Sequence, residues 1–103
     1  DTGHVVRVIR RVGLAMTEVM HHPDTGRLLL GGPLPDWQEA RRLCLRAASS
    51  YEGLGLQHWD VALTDSGPVL LEVNVEGSMD LHQLAGRTGI LDEALMKEIR
   101  LAW

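Results

Sequence analysis

Gln57-His58-Trp59-Asp60-Val61-Ala62-Leu63-Thr64, then Asp65-Ser66-Gly67, then Pro68-Val69-Leu70-Leu71-Glu72-Val73-Asn74-Val75 is the stretch that decides the fold. Two apolar, β-branched runs flank a compact turn signal, which predicts strands over 57–64 and 69–75 closed as a hairpin. A three-residue loop takes Gly in its left-handed position, as Gly67 allows. Pro68 then begins the return strand, a place where a missing N–H is tolerated. This loop length sets Thr64 opposite Pro68, Ala62 opposite Leu70 and Asp60 opposite Glu72. Side chains alternate across a strand. One face therefore carries Trp59, Val61, Leu63, Leu71, Val73 and Val75, and the other His58, Asp60, Ala62, Leu70, Glu72 and Asn74.

The second face gathers two carboxylates and an amide. Directly opposed residues on such a ladder have Cβ atoms roughly 4.5–5.5 Å apart, and like charges there are destabilising unless something neutralises them. Hard oxygen donors at this spacing suit Mg²⁺, which takes one or two carboxylates together with water and substrate phosphates. A solvated polar face is the commoner account of such a pattern on an antiparallel sheet. The spacing alone leaves both readings open.

Outward from the hairpin, Asp36-Trp37-Gln38-Glu39 has the form of a capping box. Trp37, Ala40, Cys44, Ala47, Ala48 and Tyr51 follow at helical spacing, which predicts a helix over 36–51. Arg41, Arg42 and Arg46 fall outside its apolar stripe and read as a solvated face, with a phosphate contact as the sharper alternative. Asp80 is placed to cap a short helix ending at Gly86, and Leu91 to Trp103 reads as a final helix. Nearer the N-terminus, 4–12 is β-rich, Gly13 interrupts it, and 14–20 fits strand or helix. His21 to Gly26 is a turn by its chemistry, followed by a short strand at 27–30. The fold class expected is α/β of the α+β type: an antiparallel sheet with two main helices packed on one face. The whole of 1–103 is taken as one partial domain.

The balance of fourteen acidic against ten basic residues, a formal charge of −4, disfavours nucleic-acid binding. The single cysteine, Cys44, excludes an internal disulfide and fits a reducing, cytoplasmic setting. No apolar run suits a membrane span and no signal peptide is visible. The start at Asp1-Thr2-Gly3, without Met, suggests a fragment, a processed chain or a trimmed one. His4, His21, His22, His58 and His82 match no standard zinc spacing. No serine occupies a Gly-x-Ser-x-Gly elbow.

Trp59-Asp60-Val61-Ala62-Leu63 followed by Gly67-Pro68-Val69-Leu70-Leu71-Glu72-Val73-Asn74 resembles the metal-binding end of ATP-grasp enzymes. His22-Pro23-Asp24-Thr25-Gly26 and Leu34-Pro35-Asp36-Trp37 are similar to the sugar-transfer-associated subgroup, so the resemblance runs over roughly 21–85. It implies that Asp60 ligates one magnesium ion of Mg-ATP, that Glu72 bridges two and that Asn74 completes the second. It also implies nucleotide contacts at His58 and Leu70 and a substrate-binding loop at Glu76-Gly77-Ser78, though the local spelling departs from the family's Pro-Gly pattern. The chemistry implied is ATP-dependent ligation of a small-molecule carboxylate to an amine or thiol through an acyl phosphate. The family's lysines and glycine-rich phosphate loop have no counterpart here, where Lys97 is the only lysine. The chain therefore reads as the C-terminal part of an ATP-grasp domain, inactive unless completed, with no residue assigned a catalytic role. The truncated surfaces suggest self-association. The other reading is a non-catalytic module that pairs through a sheet edge with another chain.

Overall fold

A computed structural model describes residues 2–102, so the expected place of Trp103 in the last helix lies outside the described residues. The chain gathers into two compact units, Asp1–Pro35 and Asp36–Trp103. It is a small α+β protein with two antiparallel two-stranded sheets and three helices.

In the first unit, β1 (Ile9–Val12) pairs with β2 (Ala15–Glu18), with Val12 opposite Ala15. Gly13 ends the β-rich run as expected; with Leu14 it forms a two-residue loop, and its φ of 59° suits the glycine-first turn that such hairpins favour. The undecided stretch 14–20 is thus largely strand. An ion pair between Arg7 and Glu18, at 3.1 Å, ties the pairing together. The turn at His21–Gly26 forms as its chemistry predicts. The His22 N–H donates to the Arg27 carbonyl, and its Nδ1 accepts from the backbone N–H groups of Asp24 and Thr25 at 3.2 and 3.3 Å. His22 is therefore a turn-holding residue. The expected strand at 27–30 is reduced to an isolated bridge between His21 and Leu28.

The second unit contains α1 (Trp37–Ala48), β3 (His58–Thr64), β4 (Gly67–Asn74), α2 (Asp80–Gly86) and α3 (Glu93–Ala102). The expected capping box at α1 does not form. Asp36 adopts a left-handed conformation, φ 50°, with no side-chain cap bond. Glu39 turns outward, 2.7 Å from Arg42 and 3.6 Å from Arg46. These two arginines thus belong to the solvated face that the helical spacing suggested. α1 packs on the β3–β4 hairpin, mostly on β4. Ala40, at 5% exposure, is the one buried hydrophobic residue among those described, so this core is thin. Cys44 is half-buried and unpaired.

Gln57 joins the helix to the hairpin. Its Nε2 donates to the carbonyls of Leu54 at 3.2 Å and of Ala48 and Tyr51 at 3.5 Å, closing off the end of α1. Its Oε1 accepts from Trp59 Nε1 at 3.2 Å, and the Trp59 ring meets Tyr51 edge-on at 5.7 Å. The C-terminal helix begins later than expected, where Asp92 Oδ1 accepts the Leu95 N–H at 2.8 Å. Rather than one sheet carrying two helices, each hairpin is separate, and α1 supplies the extensive helix packing on the second.

Candidate metal and nucleotide site

The hairpin turn is one residue shorter than its sequence suggests. Thr64 pairs with Gly67, leaving Asp65-Ser66 as the loop. The Thr64 hydroxyl holds it, donating to the Gly67 carbonyl at 2.7 Å and accepting the Ser66 N–H at 3.2 Å. Leu63 then pairs with Pro68, Ala62 with Val69 and Val61 with Leu70. Next to that pair β4 bulges: Leu71 is skipped, and Asp60 meets Glu72, Trp59 meets Val73 and His58 meets Asn74. The short loop and the extra residue offset each other. The Asp60–Glu72 pairing is thus the expected one, although the expected pairs of Thr64 with Pro68 and Ala62 with Leu70 are not.

The bulge exchanges two leucines. Leu70, expected on the polar face as a nucleotide contact, pairs with Val61 and lies half-buried; a recess that it lines is also lined by Ala47, Ser50 and Tyr51 at the end of α1. Leu71, expected in the core, is 68% exposed. The cause is geometric: the two-residue turn shifts the register by one and sets Leu70 opposite Val61, and the extra residue Leu71 shifts it back for Glu72 and all that follows.

His58, Asp60, Glu72 and Asn74 share the other face through their register. Asp60 and Glu72 are exposed, and no cation or hydrogen-bond donor among the described residues meets either side chain. Among the described residues no three His, Cys, Asp or Glu side chains form a metal-holding group. What is present is a pair of carboxylates with an amide on the same face. That donor set fits Mg²⁺, an ion that keeps several waters and takes phosphate oxygens for the rest of its shell, better than it fits a metal needing an all-protein cage.

Asp60 borders a recess of about 420 Å³. His58 and His82 offer polar atoms there, and Leu56, Met79, Ile90 and Leu95 an apolar wall. Glu72 lines a different recess, the one at the end of α1. The His58 and His82 rings meet edge-on with centroids 6.2 Å apart, and His58 Nε2 is buried without a hydrogen-bond partner among the described residues. Of the expected substrate loop, Glu76 and Ser78 are exposed while Gly77 is half-buried. Ser78 Oγ accepts the Asp80 N–H at 3.4 Å, so it helps start α2; the cap position itself is Met79, not Asp80. Met79, which no sequence signal singles out, lines the same recess as Asp60 and His82, because α2 returns toward β3.

The family model for sugar-transfer associated ATP-grasp proteins matches residues 1–99. The chain belongs to this family. No curated protein and no solved structure matches it. The match includes the first unit with its His22–Gly26 turn, as well as the hairpin carrying Asp60, Glu72 and Asn74. No helix among the described residues is long and apolar enough to cross a membrane.

Proposed function

We propose that this chain is the metal- and ATP-binding portion of an ATP-grasp enzyme that joins a small-molecule carboxylate to an amine or thiol. The observation that carries this reading is the facing pair Asp60 and Glu72, held in register by a bulge and met by no cation among the described residues, in a chain of the ATP-grasp family. Asp60, Glu72 and Asn74 are the residues that would hold magnesium. The ion, when bound, would neutralise charge on the triphosphate. His58, beside Asp60, would contact a phosphate, and Glu76, Gly77 and Ser78 would border the substrate. In the ligation, a substrate carboxylate oxygen bonds to the γ-phosphorus as ADP leaves. The amine or thiol then bonds to the acyl carbon and inorganic phosphate departs.

These residues supply no lysine pair and no glycine-rich phosphate loop, so the 103 residues would bind without turning over. A lone, unpaired Cys44 suits a cytoplasmic setting. Calorimetric titration of ATP with Mg²⁺, and again with EDTA, tests the assignment. Binding that needs Mg²⁺ and is lost in Glu72→Gln, with the far-UV spectrum unchanged, is the expected outcome. Unaltered binding in that variant would overturn the ligand set.

A second reading has its own observation. The β3–β4 sheet has only two strands, with Val69 and Leu71 exposed on β4. Pairing of such an edge with another chain, a second copy included, would proceed equally in Mg²⁺ and EDTA.

A further inference from the structure

We propose that Gly77 is a positioning residue for His58. The glycine backbone and the imidazole form an interlock that fixes the 76–78 segment against the strand carrying Asp60. The glycines of this chain divide by what they supply. Gly13, Gly26, Gly31, Gly53 and Gly67 have positive φ, and a Cβ on any of them would meet open space. They serve the backbone. Gly77 is the reverse: its φ lies outside the positive region, so an L-residue could adopt its conformation, but a Cβ there would fall onto the Cγ, Nδ1 and Cδ2 atoms of His58. Gly77 therefore serves the space that the ring occupies.

The ring is held by shape. His58 Nε2 is buried without a hydrogen-bond partner among the described residues, so no bond to them at that atom fixes its angle. Contact with Gly77 on the ring atoms and the edge-on approach of His82 from α2 constrain it instead. A side chain held this way moves if either wall moves. The interlock thus joins β3, which presents Asp60, to the segment leading into α2. Its importance for ligand binding rests on the function proposed above; the interlock itself does not.

A double-mutant cycle in the full chain tests it, using Gly77→Ala, His58→Ala and the pair. Amide exchange at 80–86 is the readout, with hairpin amides as the control for folding. Gly77→Ala should speed exchange in α2 by about tenfold when His58 is present, and by less than about twofold when residue 58 is Ala, because the ring it would strike is gone. An equal effect in both backgrounds, or none with His58 present, would overturn the interlock. If Gly77→Ala alone does not fold, folding restored in the double variant supports the proposal and failure of both overturns it. In the unaltered chain, nuclear Overhauser contacts between the His58 ring protons and the Gly77 α-protons are required, and their absence refutes it. None of these readouts uses nucleotide. Loss of Mg-ATP binding in Glu72→Gln with the cycle intact, or the reverse, therefore separates this inference from the proposed function.

Discussion

Asp60 stands opposite Glu72 because Leu71 is an extra residue in β4. Had pairing continued regularly from Val61 and Leu70, Asp60 would face Leu71 and Glu72 would face Trp59, on the apolar side. The bulge therefore separates two adjacent, chemically identical side chains. Leu70 is half-buried on the α1 side, whereas Leu71 is exposed. Leu70→Ala should cost about 1–2 kcal/mol, less than a fully buried leucine because its burial is partial. Leu71→Ala should stay within about 0.5 kcal/mol of the parent. Denaturant midpoints of the two variants check this, and equal costs would place the irregularity at the turn instead.

The same pairing makes a prediction without metal. Two exposed carboxylates opposed across a ladder repel, so Asp60→Asn should stabilise the metal-free chain by about a few tenths of a kcal/mol. Thermal unfolding in EDTA should show a small rise in Tm. Added Mg²⁺ should narrow the gap if the ion binds the parent and not the variant. A marked fall in Tm would instead give Asp60 a structural role.

Much of the hairpin was legible because alternation on a strand has a period of two, and from Asp60 and Glu72 outward His58, Trp59, Val73 and Asn74 pair as that alternation predicts. The bulge was not legible, since Leu70 and Leu71 are the same residue type and either can face the core. The Thr64 hydroxyl that permits the shorter loop is likewise one polar residue among several near the turn. The α1 stripe was readable from helical spacing, but its N-terminus was not. Asp36 and Glu39 have the spelling of a cap, yet Arg42 and Arg46, one and two turns further on, take the carboxylate. The recess beside Asp60 depends on Met79, His82, Ile90 and Leu95, residues distant in sequence whose approach no local pattern encodes.

The sequence pattern makes Gln57 the first residue of a strand, whereas in the structure it acts as a tie between α1 and the hairpin. Its amide donates toward three carbonyls and accepts from Trp59 Nε1. Gln57→Ala leaves these partly buried groups without partners, at a cost of about 1–3 kcal/mol. Gln57→Glu should be at least as harmful, because it removes the donor and sets a carboxylate against carbonyl oxygens. Tryptophan emission should shift to the red in both variants as Trp59 loses its partner. Unchanged emission together with unchanged stability would mean that water substitutes for the amide.

Two aspartates at helix starts make opposite predictions. Asp92 accepts the Leu95 N–H at 2.8 Å and satisfies a donor that α3 itself cannot. Asp92→Ala should therefore destabilise by about 1 kcal/mol, with faster amide exchange concentrated in α3. Asp36 makes no such bond, and its φ of 50° is strained for a residue with a Cβ. Asp36→Gly removes that strain and forfeits no cap bond. It should leave the chain unchanged or stabilise it by up to about 1 kcal/mol, the loss of strain being offset in part by the freer unfolded chain. Thermal melts of the two variants should move in opposite directions or, at the least, only Asp92→Ala should fall. A comparable fall for Asp36→Gly would show that the aspartate caps α1 in solution after all, and that the capping box spelled by Asp36 and Glu39 forms there.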